Sequence, residues 1–352
     1  MKRVLVLHGY SADNAGDGLL VRETLDLIRE ALGEDAEVTL LAARPDTFTE
    51  LGVRALPTVP AVRGWDAGTR DVLKRIDGFD IVIGVGGGYL RAGTPVEALK
   101  TALVHVPQLR AAARASVPTV YLPQSIGPAR FGTRRWAQKM LRCIDLVMVR
   151  DDRTMREIDV STMRRRPDLA TAAVVNGRRP GSVVDSVPVL SIREVRGRVN
   201  PDIYRLAESI GTYDGYIQST VGGNDDRAAS STLSPRSVLA RDELMTIGGQ
   251  PRVVVAVRLH AALMALAAGH YVVHLAYERK GFGAFEDLEI SPWVHSVNAF
   301  DPDAVRDQVS RLRFSVEERR AYDDRILSAA EKIRLARAQI VEEIRERAAQ
   351  RP

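Results

Sequence analysis

Short apolar runs that stop abruptly at glycine or at polar residues recur along this chain, with longer helical patterns between them. Residues 4–8, 37–42, 80–85, 119–122 and 146–149 read as strands, and 17–32 and 96–116 as the clearest helices. Runs that are apolar at nearly every position, rather than at alternate ones, suit strands covered on both faces. That occurs in parallel sheets with helices on either side. A break rich in Gly, Arg and Pro falls at 176–182, and a second series follows. It has strands at 187–192, 213–218, 252–257 and 271–276, with helices at 202–210 and 261–268. A further helix is expected from Ser234 as N-cap and Pro235 at the first helical position, ending at Gly248-Gly249. The tail 315–351 is amphipathic, with Ser315 and Glu318 spaced for a capping box and Ile326, Ala330, Ile333, Ile340 and Ile344 at helical intervals.

The expectation is an α/β protein of two Rossmann-like domains: residues 1–178, the probable acceptor side; residues 182–314, the probable donor side; and 315–352 as a helix packing back across them. A length of 352 residues suffices for two cores. The net charge is +5, carried mostly by arginine, which favours anionic ligands. The excess is diffuse and no nucleic-acid-binding motif accompanies it, so nucleic acid is not expected as a partner. The single cysteine, Cys143, excludes a disulfide within the chain and argues against a thiolate metal site; beside the apolar residues 144–149 it reads as a buried structural thiol. The apolar residues 4–7 are too few for a signal peptide and no run is long enough to cross a bilayer, so a soluble cytoplasmic protein is expected, with peripheral membrane contact left open.

In parallel sheets ligands sit beyond the carboxyl ends of the strands, so the loops that follow strands are where chemistry is sought. The first runs from Gly9 to Gly18 and holds Asn14, Gly16 and Asp17; the glycine spacing is not that of a dinucleotide site. Asp17 could cap the next helix or hold a sugar hydroxyl. The second carries Gly86, Gly87 and Gly88, which remove side chains next to whatever binds. The third presents Gln124 and Ser125, neutral groups suited to sugar hydroxyls or simply to a capped turn. At Arg150 to Arg153 charges begin at once after a strand, which a local ion pair and an N-cap explain. In the second half Arg193, Arg258 with His260, and Lys280 follow three strands. Singly, each is ordinary. Together they suggest a small, strongly anionic ligand.

Taken in order, these pieces resemble the polysaccharide pyruvyl transferase family: Asn14-Ala15-Gly16-Asp17, Gly86-Gly87-Gly88, Gln124-Ser125-Ile126-Gly127-Pro128, Val149-Arg150-Asp151, Ser191-Ile192-Arg193, Arg258-Leu259-His260-Ala261 and Ala276-Tyr277-Glu278-Arg279-Lys280, continuing to Gly283 and Phe285-Glu286-Asp287-Leu288. The stretch 212–232 departs from the pattern except at Gln218 and Asp225-Asp226. The resemblance implies a GT-B-like arrangement of two domains with a cleft. It also implies phosphoenolpyruvate as donor, a sugar of a glycan or lipid-linked precursor as acceptor, and no metal or other cofactor. Arg258 and His260 then serve the donor, with Arg193 and Lys280 as further donor-side positions. His260 is the candidate general acid. The helix start disfavours its charged form, and the donor's charge favours it. Asp17 is the candidate to deprotonate or orient a hydroxyl. Two other readings stay open: a GT-B glycosyltransferase using a nucleotide sugar, and a non-catalytic partner in polysaccharide assembly.

Overall fold

A computed structural model describes residues 1–60, 64–130, 132–180, 183–220, 225–246 and 248–350. Its contacts divide the chain into two units: the first holds Met1–Ala12, Asp17–Leu169 and the chain from Leu335 onward, and the second holds Asp13–Gly16 and Ala170–Arg334.

The first unit is built on a parallel sheet of β1 (Arg3–Gly9), β2 (Glu37–Ala42), β3 (Arg54–Pro57), β4 (Ile81–Gly84), β5 (Thr119–Gln124), β6 (Leu146–Val149) and β7 (Met163–Arg165). Their order across the sheet is β3-β2-β1-β4-β5-β6-β7. Alternation along β1 sends Val4 and Val6 into one core and Leu5 and Leu7 into the other. Helix Ala15–Leu32 covers the first face through Leu20, Val21, Leu25 and Ile28, joined there by Ile340, Ile344 and Ala348 of the C-terminal helix. The other face packs on Leu109, Ala112 and Leu141. Because β2 and β4 lie on opposite sides of β1, the loops after β1 and β4 diverge and leave a crevice at the carboxyl edge.

The second unit repeats the plan with β8 (Val189–Ser191), β9 (Asp214–Tyr216), β10 (Val238–Leu239), β11 (Val253–Ala256), β12 (Tyr271–Ala276) and β13 (Val294–Ser296), in the order β10-β9-β8-β11-β12-β13. Its direction reverses between β8 and β11. The chain enters this unit through helix Ala170–Gly177, whose small residues pack on helix Leu259–Ala267. A Cβ at Gly177 would overlap the carbonyl of Ala267. Of the break at 176–182, residues 181 and 182 lie outside the described residues.

Three expectations are corrected. No helix spans 235–248. The backbone of 236–237 is taken by the sheet instead: Arg236 N–H donates to Tyr213 O (2.9 Å) and Gly215 N–H to Ser237 O (2.7 Å). A short helix, Arg241–Met245, follows. Ser234 has φ 50°, not the extended backbone of an N-cap. Helix 96–116 is wound as Pro95–Lys100, a π-turn Thr101–His105 and Val106–Ala112, the π-turn lying just before Pro107, which has no N–H to donate. Cys143 is exposed, because Ile144 rather than Cys143 faces the core.

The C-terminal helix runs Val316–Ala349. Ser315 Oγ accepts from Glu318 N–H at 3.1 Å, while the N–H of Ser315 goes to Arg311 O rather than to Glu318, so half of the capping box forms. Ile326, Ala330, Ile333, Ile340 and Ile344 are all buried, as their spacing implies. Among the described residues no helix is long and apolar enough to cross a membrane.

Candidate active site

Strand order alone places Arg193 and Arg258 together, since they follow β8 and β11, the pair at which the second sheet reverses. Arg258 is the N-cap of helix Leu259–Ala267, and its guanidinium grips the carboxylate of Asp226 with a two-pronged fork, Nε to Oδ2 at 2.6 Å and Nη2 to Oδ1 at 2.7 Å. Asp226 is 2% exposed. Burial raises its pKa from the ordinary carboxylate value, although Arg258 and Arg193 both pull against that. Arg193 Nη1 donates to the hydroxyl of Tyr277 at 3.0 Å and its guanidinium lies 5.0 Å from the centre of that ring. Lys280 Nζ sits 3.0 Å from Glu278 Oε2.

Two of the three strand-end cations, Arg258 and Lys280, thus carry a carboxylate. Five donors on a planar guanidinium allow one edge to be held by Asp226 while the plane is fixed for a ligand. Asp226 and Tyr277 were legible only as members of pieces that resemble the family; their partnership with Arg258 and Arg193 needs the loops after β9 and β12 to meet those after β11 and β8.

His260 is the second residue of the helix that Arg258 caps. Asn14 and Gly16 cluster with this unit, and Gly16 lies against the His260 ring so closely that a Cβ there would overlap it. Gly16 is therefore required to be glycine by contact, not by backbone conformation. Gln218, buried beside Met264 of the same helix, points its Nε2 at the sulfur at 3.8 Å.

In the first unit the glycine turn and the end of β5 are knit together. Ser125 N–H donates to Gly87 O at 2.7 Å, and Gly87 pairs with Gln124. A Cβ at Gly86 would stand 2.8 Å from Pro123 O, and one at Gly88 3.6 Å from Arg150 Nη2. Ser125 Oγ accepts from Arg150 Nε at 3.1 Å, and Arg150 is buried on Asp168. Gln124 is fully buried and, among the described residues, its amide meets no hydrogen-bonding partner. Asp17 lies in the first turn of helix Ala15–Leu32, where a carboxylate suits the helix dipole. At helix Asp152–Ile158, Asp151 accepts from Thr154 N–H at 2.8 Å and Arg153 pairs with Glu157, so these charges do the local work expected of them.

Sequence reasoning missed a histidine–tyrosine group at the same edge of the first sheet. His8, at the end of β1 with φ 70°, bonds Tyr121 Oη through Nε2 (2.9 Å) and His105 Nδ1 through Nδ1 (3.2 Å). Its ring stacks on Tyr89 with centroids 4.4 Å apart. Burial, then the neighbouring His105, lowers the pKa of His8, and burial lowers that of His105 to about 4, so both rings are neutral near pH 7. The left-handed backbone at His8 and the π-turn that presents His105 are irregularities of the kind found at functional sites. Neither was legible, because nothing in the order of residues says that 8, 89, 105 and 121 meet. Among the described residues no group of His, Cys, Asp and Glu is placed to hold a metal ion.

The fold has relatives among solved structures. A glycosyltransferase from Rickettsia africae ESF-5 superposes with a TM-score of 0.61 at 9% identity, covering 100% of this chain and 99% of that one. An α-glucosyltransferase solved with UDP and a 13-mer DNA gives 0.54 at 12% identity over 99% and 100%. A trehalose-6-phosphate synthase gives 0.54 at 11% identity over 98% and 99%. At such identities the likeness is one of fold, and the fold is GT-B, two parallel α/β units. No curated sequence relative matches the chain. The model of the polysaccharide pyruvyl transferase family does, over residues 14–279. The chain belongs to that family.

Proposed function

We propose that the protein transfers the pyruvyl group of phosphoenolpyruvate to a pair of hydroxyls on one sugar of a polysaccharide or lipid-linked precursor, forming a ketal. The observation that carries this reading is Arg258, held in plane by Asp226 at the reversal point of the second sheet, with Arg193 beside it and His260 two residues on. Phosphoenolpyruvate puts about three negative charges on a very small body, and forked guanidinium donors suit its carboxylate and phosphate. Lys280 adds a point charge.

The chemistry requires a proton on the methylene carbon of the enol. His260 is the proposed donor of that proton, the donor's own charge favouring the protonated ring. A sugar hydroxyl then bonds to the neighbouring carbon and loses its proton. A second hydroxyl of the same sugar forms the other C–O bond as the bond to phosphate breaks, and phosphate leaves, taking up the proton that this hydroxyl loses. Asn14 and Gly16 shape the His260 side. Asp17, the Gly86–Gly88 turn, Gln124 and Ser125 of the first unit are the proposed acceptor side, Asp17 being the candidate proton acceptor. The cytoplasm, where phosphoenolpyruvate is made, is the proposed compartment.

The test supplies phosphoenolpyruvate or nucleotide sugars with a panel of glycan acceptors and follows phosphate, nucleotide and a ketal-linked product. Phosphate with a ketal product is expected. Nucleotide release without phosphate would turn the reading to a glycosyltransferase. His260→Ala should keep donor binding, read as a raised thermal midpoint, and lose phosphate release; near-normal release removes His260 from the acid role.

A further inference from the structure

The helix that follows the glycine turn of the first unit turns an apolar face to water. In Pro95–Lys100 and the π-turn Thr101–His105 that prolongs it, the ring of His105 reaches inward to His8 while Val96, Leu99 and Leu103 do not. Val96 is 63% exposed, Leu99 60% and Leu103 47%, at the i, i+3 and i+7 spacing that sets them on one face. Helices normally hide such a face; Ala15–Leu32 in the same unit does so through Leu20, Leu27 and Ile28.

Charge is segregated along this part of the chain. Residues 91–142 contain nine lysines and arginines and a single acid, Glu97, which pairs with Arg91 at 3.2 Å. The whole chain is only +5, so the remainder is net acidic. Two contacts tie basic segments to the chain on either side of the apolar helix. Arg130 N–H donates to Ala92 O at 3.2 Å, joining its loop to the one that leads into Pro95–Lys100. Arg110 lies 6.0 Å from the Trp136 ring, joining helix Val106–Ala112 to helix Thr133–Leu141, where Arg134, Arg135 and Lys139 are exposed.

We infer that this face of the first unit docks on an anionic lipid bilayer, Val96, Leu99 and Leu103 entering the interface while the surrounding lysines and arginines meet acidic headgroups. Three large apolar residues on a short helix suit shallow interfacial insertion and not a span, and each basic residue near such a surface adds about 1 kcal/mol. A second copy of the chain is a poor occupant, because a twofold contact would set this basic surface against itself. Nucleic acid would satisfy the charge and leave the apolar face in water.

The inference rests on this surface alone, and its test involves no turnover. The full chain is sedimented with large unilamellar vesicles of phosphatidylcholine, with or without about a third phosphatidylglycerol. Binding to the anionic vesicles alone is expected, reversed by salt near 1 M, where screening shortens to about 3 Å. Val96→Ser/Leu99→Ser/Leu103→Ser and Arg134→Glu/Arg135→Glu/Lys139→Glu should each weaken binding about tenfold or more, while far-UV circular dichroism and the urea midpoint stay at wild-type values. These side chains are exposed or, for the charged set, solvated, so the fold tolerates the changes. Folded wild-type protein that ignores anionic vesicles, or two folded variants that bind as well as wild type, would overturn it. So would a dimer in sedimentation velocity that the serine variant dissolves and that binds no vesicle.

Discussion

Gly16 lies flat against the imidazole of His260, with no room for a methyl group between them. The second residue of helix Ala15–Leu32 thereby sets the position of a side chain of helix Leu259–Ala267. Gly16→Ala must push one of the two aside. The overpacking should cost about 1–3 kcal/mol of stability and displace the proposed acid, lowering phosphate release about tenfold or more. Adding His260→Ala to Gly16→Ala should recover the stability, measured by urea unfolding, without recovering release. If Gly16→Ala turns over normally, the contact has no part in the chemistry.

The fork from Arg258 to Asp226 gives a second test. Lysine offers a compact charge that cannot span both carboxylate oxygens, so Arg258→Lys should reduce kcat/KM at least about tenfold, on the order of 1.4 kcal/mol. Asp226→Asn keeps hydrogen-bonding groups in place and should cost less. Steady-state phosphate release for the two variants checks the order of effects; equal and wild-type values would remove the pair from the site.

Stability of the second unit should depend on a buried ion pair remote from the site. Arg178 Nε donates to Asp323 Oδ1 at 2.7 Å, and its Nη1 reaches the carbonyls of Gly269 (3.2 Å) and His270 (2.7 Å). Its guanidinium lies 4.2 Å from the Tyr271 ring centre, and Tyr271 Oη donates to Asp323 at 3.0 Å. Asp323→Ala leaves a buried guanidinium uncompensated and should destabilise by about 3–5 kcal/mol. Replacement of both partners by apolar residues should cost less than that single change. Urea denaturation followed by fluorescence decides between them.

Two groups of the second unit make its stability depend on pH. Burial, opposed by a bond to Ala256 O (2.7 Å), lowers the pKa of His274 to about 4. An unfolded histidine titrates near 6.5, so the unfolded chain takes up the proton first as pH falls. The contribution of His274 is present above about 6.5 and lost between there and about 4, amounting to about 3 kcal/mol. Asp214 acts lower. Burial opposes its ionisation, but bonds from Arg236 (2.9 Å), Arg252 (2.5 Å) and Ser237 (2.7 Å) prevail and bring its pKa to about 2. Its contribution is present above about 4 and lost on acidification towards 2. Urea unfolding from pH 7.5 to 2.5 should show both declines, and Asp214→Asn should remove the lower one. Stability that holds level from pH 7 to 4 contradicts the first.

What could be read from the order of residues tracks burial. The central strands β1, β2, β4 to β6, β8, β11 and β12 are mostly apolar because helices cover both faces, and these and β9 were each visible as a run. The strands that escaped notice, β3, β7, β10 and β13, are the outer ones of the two sheets. An edge strand has a neighbour on one side only, and Met163–Arg165 and Val294–Ser296 accordingly carry polar residues that no pattern distinguishes from loop. The helix expected after Ser234 failed for a related reason: local capping signals were outweighed by hydrogen bonds to β9, more than fifteen residues away.

The sequence by itself determined the class: two α/β series, with arginines, a histidine and a lysine at the ends of strands in the second, in the order that marks the family. Periodicity and strand-end chemistry are local properties, and they survive without a structure. Only the tertiary structure decided that Asp226 holds Arg258, that Gly16 rests on His260, that His8 joins Tyr121 and His105, and that Val96, Leu99 and Leu103 stay in water. Each of these is a meeting, or a failure to meet, between groups far apart in the chain. It is settled by which strands lie side by side and by which faces the cores leave uncovered.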